Sequence, residues 1–388
     1  MKKLFGLLTF WRGALAVLLM LGLYATYVRF FEGFTASTNL TDEYPWGIWM
    51  GCNILCGVGL AAAGFTLCAI VYIFNLHEFK PIVRPAILTA FLGYLSVIVS
   101  LMFELGQPWR IWYAIIFWNP QSVLFEVAWC VMLYTTVLTL EFSPMLFEKL
   151  RWEKPLRAMR AITIPLVIVG VILSTLHQSS LGSLYLIVPE KLHPLWYSSL
   201  LPVLFYLSAV GAGCALMIFE SFLIRRAFKR ELPFAILVQL GRAVVVILAL
   251  YTVIRVQDLL HRHALGYLFT WNLEALLYWI EMMLGVLLPL MLLAWKKTRL
   301  HPRGLFVSST LVILGFVMNR MNVSITGLEG WAKTGYFPSF LETAISVMIV
   351  AMVFGAFALA ARYLPVFPKS KEKQPVYLEE STHVLWAE

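Results

Sequence analysis

The 388-residue chain is 61% hydrophobic, only 13% charged, and carries a formal net charge of +9. A soluble fold of this length cannot bury so much apolar surface, because the buried fraction rises slowly with size, so composition excludes a soluble domain and points to an all-α integral membrane protein. The basic residues sit in a few short loops and the tail, with no basic face of interleaved aromatics outside them, which excludes nucleic acid as a partner.

Ten stretches reach the roughly 20 apolar residues that a spanning helix needs. The first, 12–31, has no small-x-small cleavage site behind it and reads as a retained anchor. The second, 50–74, holds Asn53 and the run "CGVGLAAAGF", whose small residues let helices approach closely. The third, 84–104, ends on Glu104, with Trp109 and Arg110 beyond it. The fourth, 122–143, carries Glu126 near one end and Glu141 near the other. The fifth, 160–177, is short and uncharged and ends on His177-Gln178-Ser179-Ser180. The sixth, 199–224, contains "AVGAGCALMIF" and then Glu220. The seventh, 234–257, holds Arg255, with Asp258 just past it. The eighth, 270–295, holds Glu274 and Glu281; the ninth, 304–322, holds Arg320; the tenth, 339–362, begins near Glu342. A polar tail, 363–388, follows.

With ten spans both termini share a side. That side carries most of the 30 Lys and Arg residues, in "EKLRWEKPLRAMR", "RRAFKR", "WKKTRLHPR" and the two ends, so the termini and the tail are expected in the cytoplasm. Spans two and three echo spans six and seven, which suggests two four-helix bundles (repeats 46–184 and 199–325) with two extra helices, all within one membrane domain, 1–362. The cysteines, five in all, fall inside spans with no metal-ligand spacing, and His261-x-His263 lacks a third ligand, so no metal site is expected.

An ionisable group inside a bilayer is costly and is a functional candidate by default. Arg29, Asn53, Glu104, Glu126, His177, Arg255, Asp258, Glu281 and Arg320 gather towards the outer face, and Glu141 and Glu220 lie towards the inner one. An outer-face pocket suits a quinone. It needs an apolar slot, donors to its carbonyls and a group that exchanges protons. His177 and Asn53 are candidates to bond the head, Glu104 and Asp258 to exchange protons, and Arg255 and Arg320 to balance charge. Trp46, Trp109 and other tryptophans could wall the slot, and Glu126, Glu281, Glu220 and Glu141 could relay protons inwards. The plainer readings stand beside these: a histidine that caps a helix end, tryptophans of the interfacial belt, glutamates paired with Arg or Lys, and Glu274 and Glu342 placed to suit a helix N-terminus. Haem fails a simple test, since axial ligation calls for facing histidines within spans and only His177 lies at one.

"YPWGIWMGCNILCGVGLAAAGF", "HEFKPIVRPAIL", "NPQSVLFEVAWCVMLYTTVLTLEFSP", "LSTLHQSSLGSL" and "HPLWYS" resemble the polysulfide reductase membrane-subunit family, NrfD/PsrC. HybB-type hydrogenase membrane subunits are most alike and DsrP-type subunits are similar. The resemblance implies no haem or iron–sulfur cluster in the chain, and menaquinone or ubiquinone bound near the outer face. It also implies a periplasmic ferredoxin-like iron–sulfur subunit, itself served by hydrogenase-type catalytic subunits or multihaem cytochromes. Asn53 stands where members place a polar quinone contact, His177 lies in the shared HQSS segment, and Glu104 falls where HybB-like relatives are acidic. The expected function is a quinone- or quinol-reactive subunit of a respiratory oxidoreductase in the plasma membrane of a bacterium or archaeon, with proton translocation a further expectation. A secondary transporter and a purely structural membrane anchor remain the alternatives.

Overall fold

A computed structural model describes residues 2–230 and 233–367, with side chains from residue 13 onward. The chain is all-α, with no strand among the described residues. Ten helices are long and apolar enough to span a membrane: Gly13–Glu32, Trp49–Ile73, His77–Glu104, Val123–Leu150, Thr163–Ile187, Leu201–Phe228, Phe234–His261, Leu273–Ala294, Pro302–Ala332 and Phe340–Tyr363, here spans 1 to 10. The chain is thus a multi-pass membrane protein. The expected tail lies outside the described residues from position 368 on. The start of span 1 and the end of span 10 share one side with the basic loops (the basic side); the loops 33–48, 105–122, 188–200, 262–272 and 333–339 lie on the opposite side.

Local chemistry sets the helix starts on the opposite side. The Ser122 hydroxyl accepts from Phe125 N, Asn272 Oδ1 accepts from Ala275 N, and Ser339 with Glu342 forms a reciprocal capping box. Glu274 and Glu342 therefore fall in first turns, where the plainer reading put them. On the basic side, spans 4 and 6 close on Arg151 and Lys229 in the left-handed region.

Two spans run well past their expected ends. Span 5 continues through the HQSS segment to Ile187, and span 9 continues past Arg320, through a widened turn at Asn322–Thr326, to Ala332. Polar residues did not stop these helices because the neighbouring spans receive their side chains. Gln178 donates to Val58 O across the bundle, and the Ser180 hydroxyl bonds both Leu176 O and the Glu126 carboxylate. His177 consequently lies some ten residues inside span 5, about 15 Å from its far end at 1.5 Å per residue, and not at the interface where the sequence reading placed it.

Spans 2, 3, 4 and 5 pack in a closed ring, each against the next, and spans 6, 7, 8 and 9 form another. The rings meet along spans 2, 5, 6 and 9, while spans 1 and 10 pair with each other and lie against span 3. Small residues permit these contacts, since without a hydrophobic force between helices in lipid, close van der Waals approach has to hold them. A Cβ on Gly213 of span 6 would lie 2.6 Å from the backbone nitrogen of Ala63 in span 2, and Gly285 and Gly315 bring the backbones of spans 8 and 9 into contact.

Gly213→Val is expected to destabilise the fold by about 1–3 kcal/mol through overpacking. Gly355→Val, at a position with nothing within 4 Å, should be close to neutral. Thermal unfolding in detergent or nanodiscs separates the two; equal midpoints would refute the idea that the junction between rings depends on backbone contact.

Candidate functional site

Within the first ring, His177 is fully buried and its Nδ1 lies 2.7 Å from the hydroxyl of Tyr94 on span 3. The other ring nitrogen, Nε2, is buried with no partner in the chain. The same holds for both amide atoms of Asn53 on span 2, for the Tyr185 hydroxyl at the far end of span 5, and for Glu104 Oε2 at the end of span 3. Buried polar atoms are almost always partnered, so this set is unusual, and it is shared among three spans of one ring. Trp46 meets the Tyr185 ring edge-on at 5.7 Å. Tyr185 lies within electrostatic reach of both Glu104 and Arg320.

Loops on the opposite side cover this region and are themselves tied down. Tyr44 stacks on Tyr336 at 4.5 Å and donates to Ile325 O. The Tyr336 hydroxyl donates to the Glu342 carboxylate, which also accepts from Ser339 N, and Trp49 Nε1 donates to Glu342 O. Burial first, and then the neighbouring Glu342 carboxylate, hold the Tyr336 phenol far above its ordinary range; burial acts likewise on Tyr44. Arg29 does not pair with the Glu104 carboxylate. It donates to Phe103 O and Leu105 O on either side of it and lies over the Phe34 ring.

The second ring is built differently. Glu281 accepts from Trp196 Nε1 at 3.0 Å, Asn319 Nδ2 at 2.7 Å and Asn322 Nδ2 at 2.8 Å. Arg320 donates to Asn319 Oδ1, Ser208 Oγ and Phe205 O, and lies 3.6 Å from the centroid of the Phe205 ring. Arg255 donates to Tyr278 OH and Leu195 O. Asp258 accepts from Ser198 and from both Nε and Nη2 of Arg262. Beside Glu281 and Asn319 lies a cavity of about 30 Å³, also lined by Ser208 and Tyr251, roughly one or two waters in size. At the rim, burial lowers the His193 pKa against the opposing pull of Glu274.

The expected single pocket is therefore divided. Asn53, Glu104 and His177 carry free polar atoms in the first ring, with Trp46 at its edge. Arg255, Asp258, Glu281 and Arg320 are locked into a bonded network in the second. Asp258, expected to exchange protons, has both of its oxygens bonded by Arg262 in an ion pair. Trp109 is exposed on the loop surface, as is Trp271. Glu126 is exposed at the start of span 4 and bonds Ser180 of span 5. Glu220 accepts from Thr89, with its second oxygen unpartnered, and Glu141 faces Gly170 of span 5. These glutamates are spread over both rings and form no continuous chain with one another. Sorting by charge missed Tyr94, Tyr185, Asn319 and Asn322; the Asn319-Arg320-x-Asn322 cluster within an apolar stretch was the visible signal for the last two. Among the described residues no group of three metal-ligating side chains occurs, and His177 is the one buried histidine.

The sequence model of the family described as polysulphide reductase, NrfD, matches residues 36–329. A protein of Nitratidesulfovibrio vulgaris is 41% identical over 90% of this chain and 92% of its own length. The probable Ni/Fe-hydrogenase 2 b-type cytochrome subunit of Escherichia coli is 34% identical over 89% of each chain. The integral membrane subunit of menaquinone reductase from Nitratidesulfovibrio vulgaris is 29% identical over 93% of this chain and 92% of its own.

Replacing Glu281 with Leu strands three buried N–H donors, at about 1–3 kcal/mol for each one left unpaired. A large drop in thermal midpoint is expected, with Glu281→Gln intermediate because its carbonyl retains one acceptor. A Leu variant as stable as the parent would show that the second-ring network does not hold the spans together.

Proposed function

The chain belongs to the polysulphide reductase NrfD family, and from that membership we propose that it is the quinone-reactive membrane subunit of a respiratory oxidoreductase. The observation that carries this reading is the set of unpartnered atoms in the first ring: His177 Nε2, the Asn53 amide, the Tyr185 hydroxyl and Glu104 Oε2. A quinone head is flat and apolar, with a carbonyl at each end. Histidine and asparagine donors on different spans suit the two carbonyls, and Trp46 and Tyr185 offer aromatic edges to the ring. When bound, the quinone supplies the two-electron chemistry. The chain's own residues bind and orient it, shield it from water, and hold protons at His177 and Glu104.

His177 suits both oxidation states of such a ligand. With the Tyr94 hydroxyl donating to Nδ1, Nε2 carries the hydrogen and donates to a carbonyl. With Nδ1 protonated and donating to Tyr94, Nε2 accepts from a hydroxyl. The basic loops favour cytoplasmic termini, which puts Asn53, Tyr185 and Glu104 near the extracytoplasmic surface. An iron–sulfur electron-transfer subunit docked on the loops of that face would exchange electrons with the quinone, and the names of the hydrogenase and menaquinone reductase relatives fit such an assembly. Menaquinone is favoured over ubiquinone by the menaquinone reductase relative.

In the complex purified with its native partners, Asn53→Leu and His177→Leu should each lower quinone-linked turnover tenfold or more and raise the KM for a short-chain quinol. The lipid-facing Phe354→Ala serves as the control and should leave both unchanged. Full turnover in both Leu variants would leave the chain a mere anchor; solute transport by vesicles holding this chain alone would make it a transporter.

A further inference from the structure

Span 7 holds two arginines, and their surroundings differ. Arg255 is buried in the second ring, whereas Arg242 is exposed. Arg242 stands eight residues past Phe234, about 12 Å along the helix at 1.5 Å per residue. It heads a stripe with Val246, Leu250 and Val253, all exposed, which runs from it towards the middle of the span. Its outward face is therefore the face that meets lipid. Among the described residues no carboxylate pairs with it, although a cation within a span ordinarily has a partner.

A second cation is brought to the same place. Gly241 has no side chain, and the stem of Arg299 lies over it: a Cβ on Gly241 would sit 3.5 Å from both Cγ and Cδ of Arg299. Arg299 comes from the loop between spans 8 and 9. Its Nη1 donates to Leu293 O at 2.5 Å and Ala294 O at 3.4 Å, the last carbonyls of span 8. Its Nε is buried with no partner. Burial first, and then the charge of Arg242, lower the Arg299 pKa. Lys296, Lys297 and Arg303 are exposed in and beside the same loop. Glu78, which meets this end of span 7, accepts from Gln239 at 3.3 Å and pairs with neither arginine.

We propose that Arg242 and Arg299 together bind the phosphodiester of one anionic phospholipid from the leaflet on the basic side. Two like charges held side by side repel each other strongly where the dielectric is low, and an anion between them removes that repulsion. Guanidinium groups suit phosphate oxygens because each offers a planar fork of N–H donors. Free phosphate has the same oxygens, but the surroundings select a lipid. The stripe from Val246 to Val253 is a surface for an acyl chain, and Met291 and Trp295 are exposed on span 8, whose last turns pack against span 7. Lys296 and Lys297 favour a headgroup of net negative charge over one that carries an ammonium. Reaching to interfacial water accounts for Arg242 taken singly; it does not account for Arg299 being seated on Gly241 beside it. The bound phosphate ties span 7 to the end of span 8, and the site is independent of the quinone reading.

The test uses the protein purified with its native partners and delipidated in a non-ionic detergent. It is titrated with phosphatidylglycerol, phosphatidylethanolamine or inorganic phosphate, and read by native mass spectrometry and thermal midpoint. Arg242→Gln is compared with Lys154→Gln, which removes one charge from the exposed basic-side helix Glu153–Ala161. Wild type and Lys154→Gln should hold one phosphatidylglycerol about fivefold or more tighter than phosphatidylethanolamine, and their midpoints should rise with it. Arg242→Gln should lose both the preference and the rise. Without lipid it should melt no lower than wild type, because a repulsion has been removed. Arg242→Lys, which keeps the charge without the fork, should fall between. Equal phosphatidylglycerol affinity in wild type and Arg242→Gln would overturn the site, as would a wild type with no headgroup preference. Displacement of the lipid by inorganic phosphate of equal affinity would overturn the lipid as its occupant.

Discussion

In a hydrocarbon environment a hydrogen-bonding side chain has no water to turn to, so it must be partnered within the protein or face a ligand. That constraint explains why the two rings differ. The second ring satisfies most of it internally, with Glu220 Oε1 and Ser308 Oγ left unpartnered. Glu281 gathers three N–H donors, Asp258 gathers Arg262 and Ser198, and the Arg320 guanidinium is spread over an amide oxygen, a hydroxyl, a backbone carbonyl and the faces of two phenylalanines. The first ring leaves the account open at His177 Nε2, Asn53, Tyr185 and Glu104. An open set in a membrane core is either costly or complementary to something that arrives.

Backbone proximity makes both arrangements practicable. Where Gly213 lies on Ala62 and Ala63, and Gly285 on Gly315, helices approach without side chains between them. Dispersion between close backbones then substitutes for the hydrophobic force that lipid does not supply. Span 2, next to spans 3, 5, 6 and 9, is the most enclosed helix and carries Asn53. The Glu342 capping box and the Tyr44–Tyr336 stack close the loops over the same end, so the free atoms of Asn53 and Glu104 lie under a fixed cover.

Much of this architecture could be read before any coordinates. Ten apolar stretches and ten spans agree, because length and hydropathy leave little choice inside a bilayer. Helix ends were harder. His177-Gln178-Ser179-Ser180 reads as a stop in one dimension, yet Gln178 and Ser180 find partners on spans 2 and 4, and the helix continues to Ile187. Glu104, Asn53 and His177 were found by the rule that intramembrane polarity is costly. The same rule also selected Asp258, Glu281, Arg255 and Arg320, and nothing in a sequence tells a polar residue that is bonded from one that waits for a ligand. That distinction depends on which spans are neighbours. Tyr94 and Tyr185 were missed for a related reason, since a tyrosine is unremarked in an apolar stretch until its hydroxyl is seen to have a histidine, or nothing, beside it.

Arg320 is where the two rings are electrically joined. It is a buried cation with no carboxylate within salt-bridge distance among the described residues, and its nearest acid, Glu281, is reached through the Asn319 amide. A fully formed ion pair would cancel its field, whereas an amide relay and two aromatic faces leave part of it uncompensated in a low-dielectric core, where charges are felt over longer distances. Tyr185 and Cys56, both first-ring residues, lie within its reach. The locked network of the second ring therefore does more than hold helices together. It fixes a positive charge beside Tyr185 and Cys56 of the first ring, where the bonds of Arg320 to Asn319, Ser208 and Phe205 hold it.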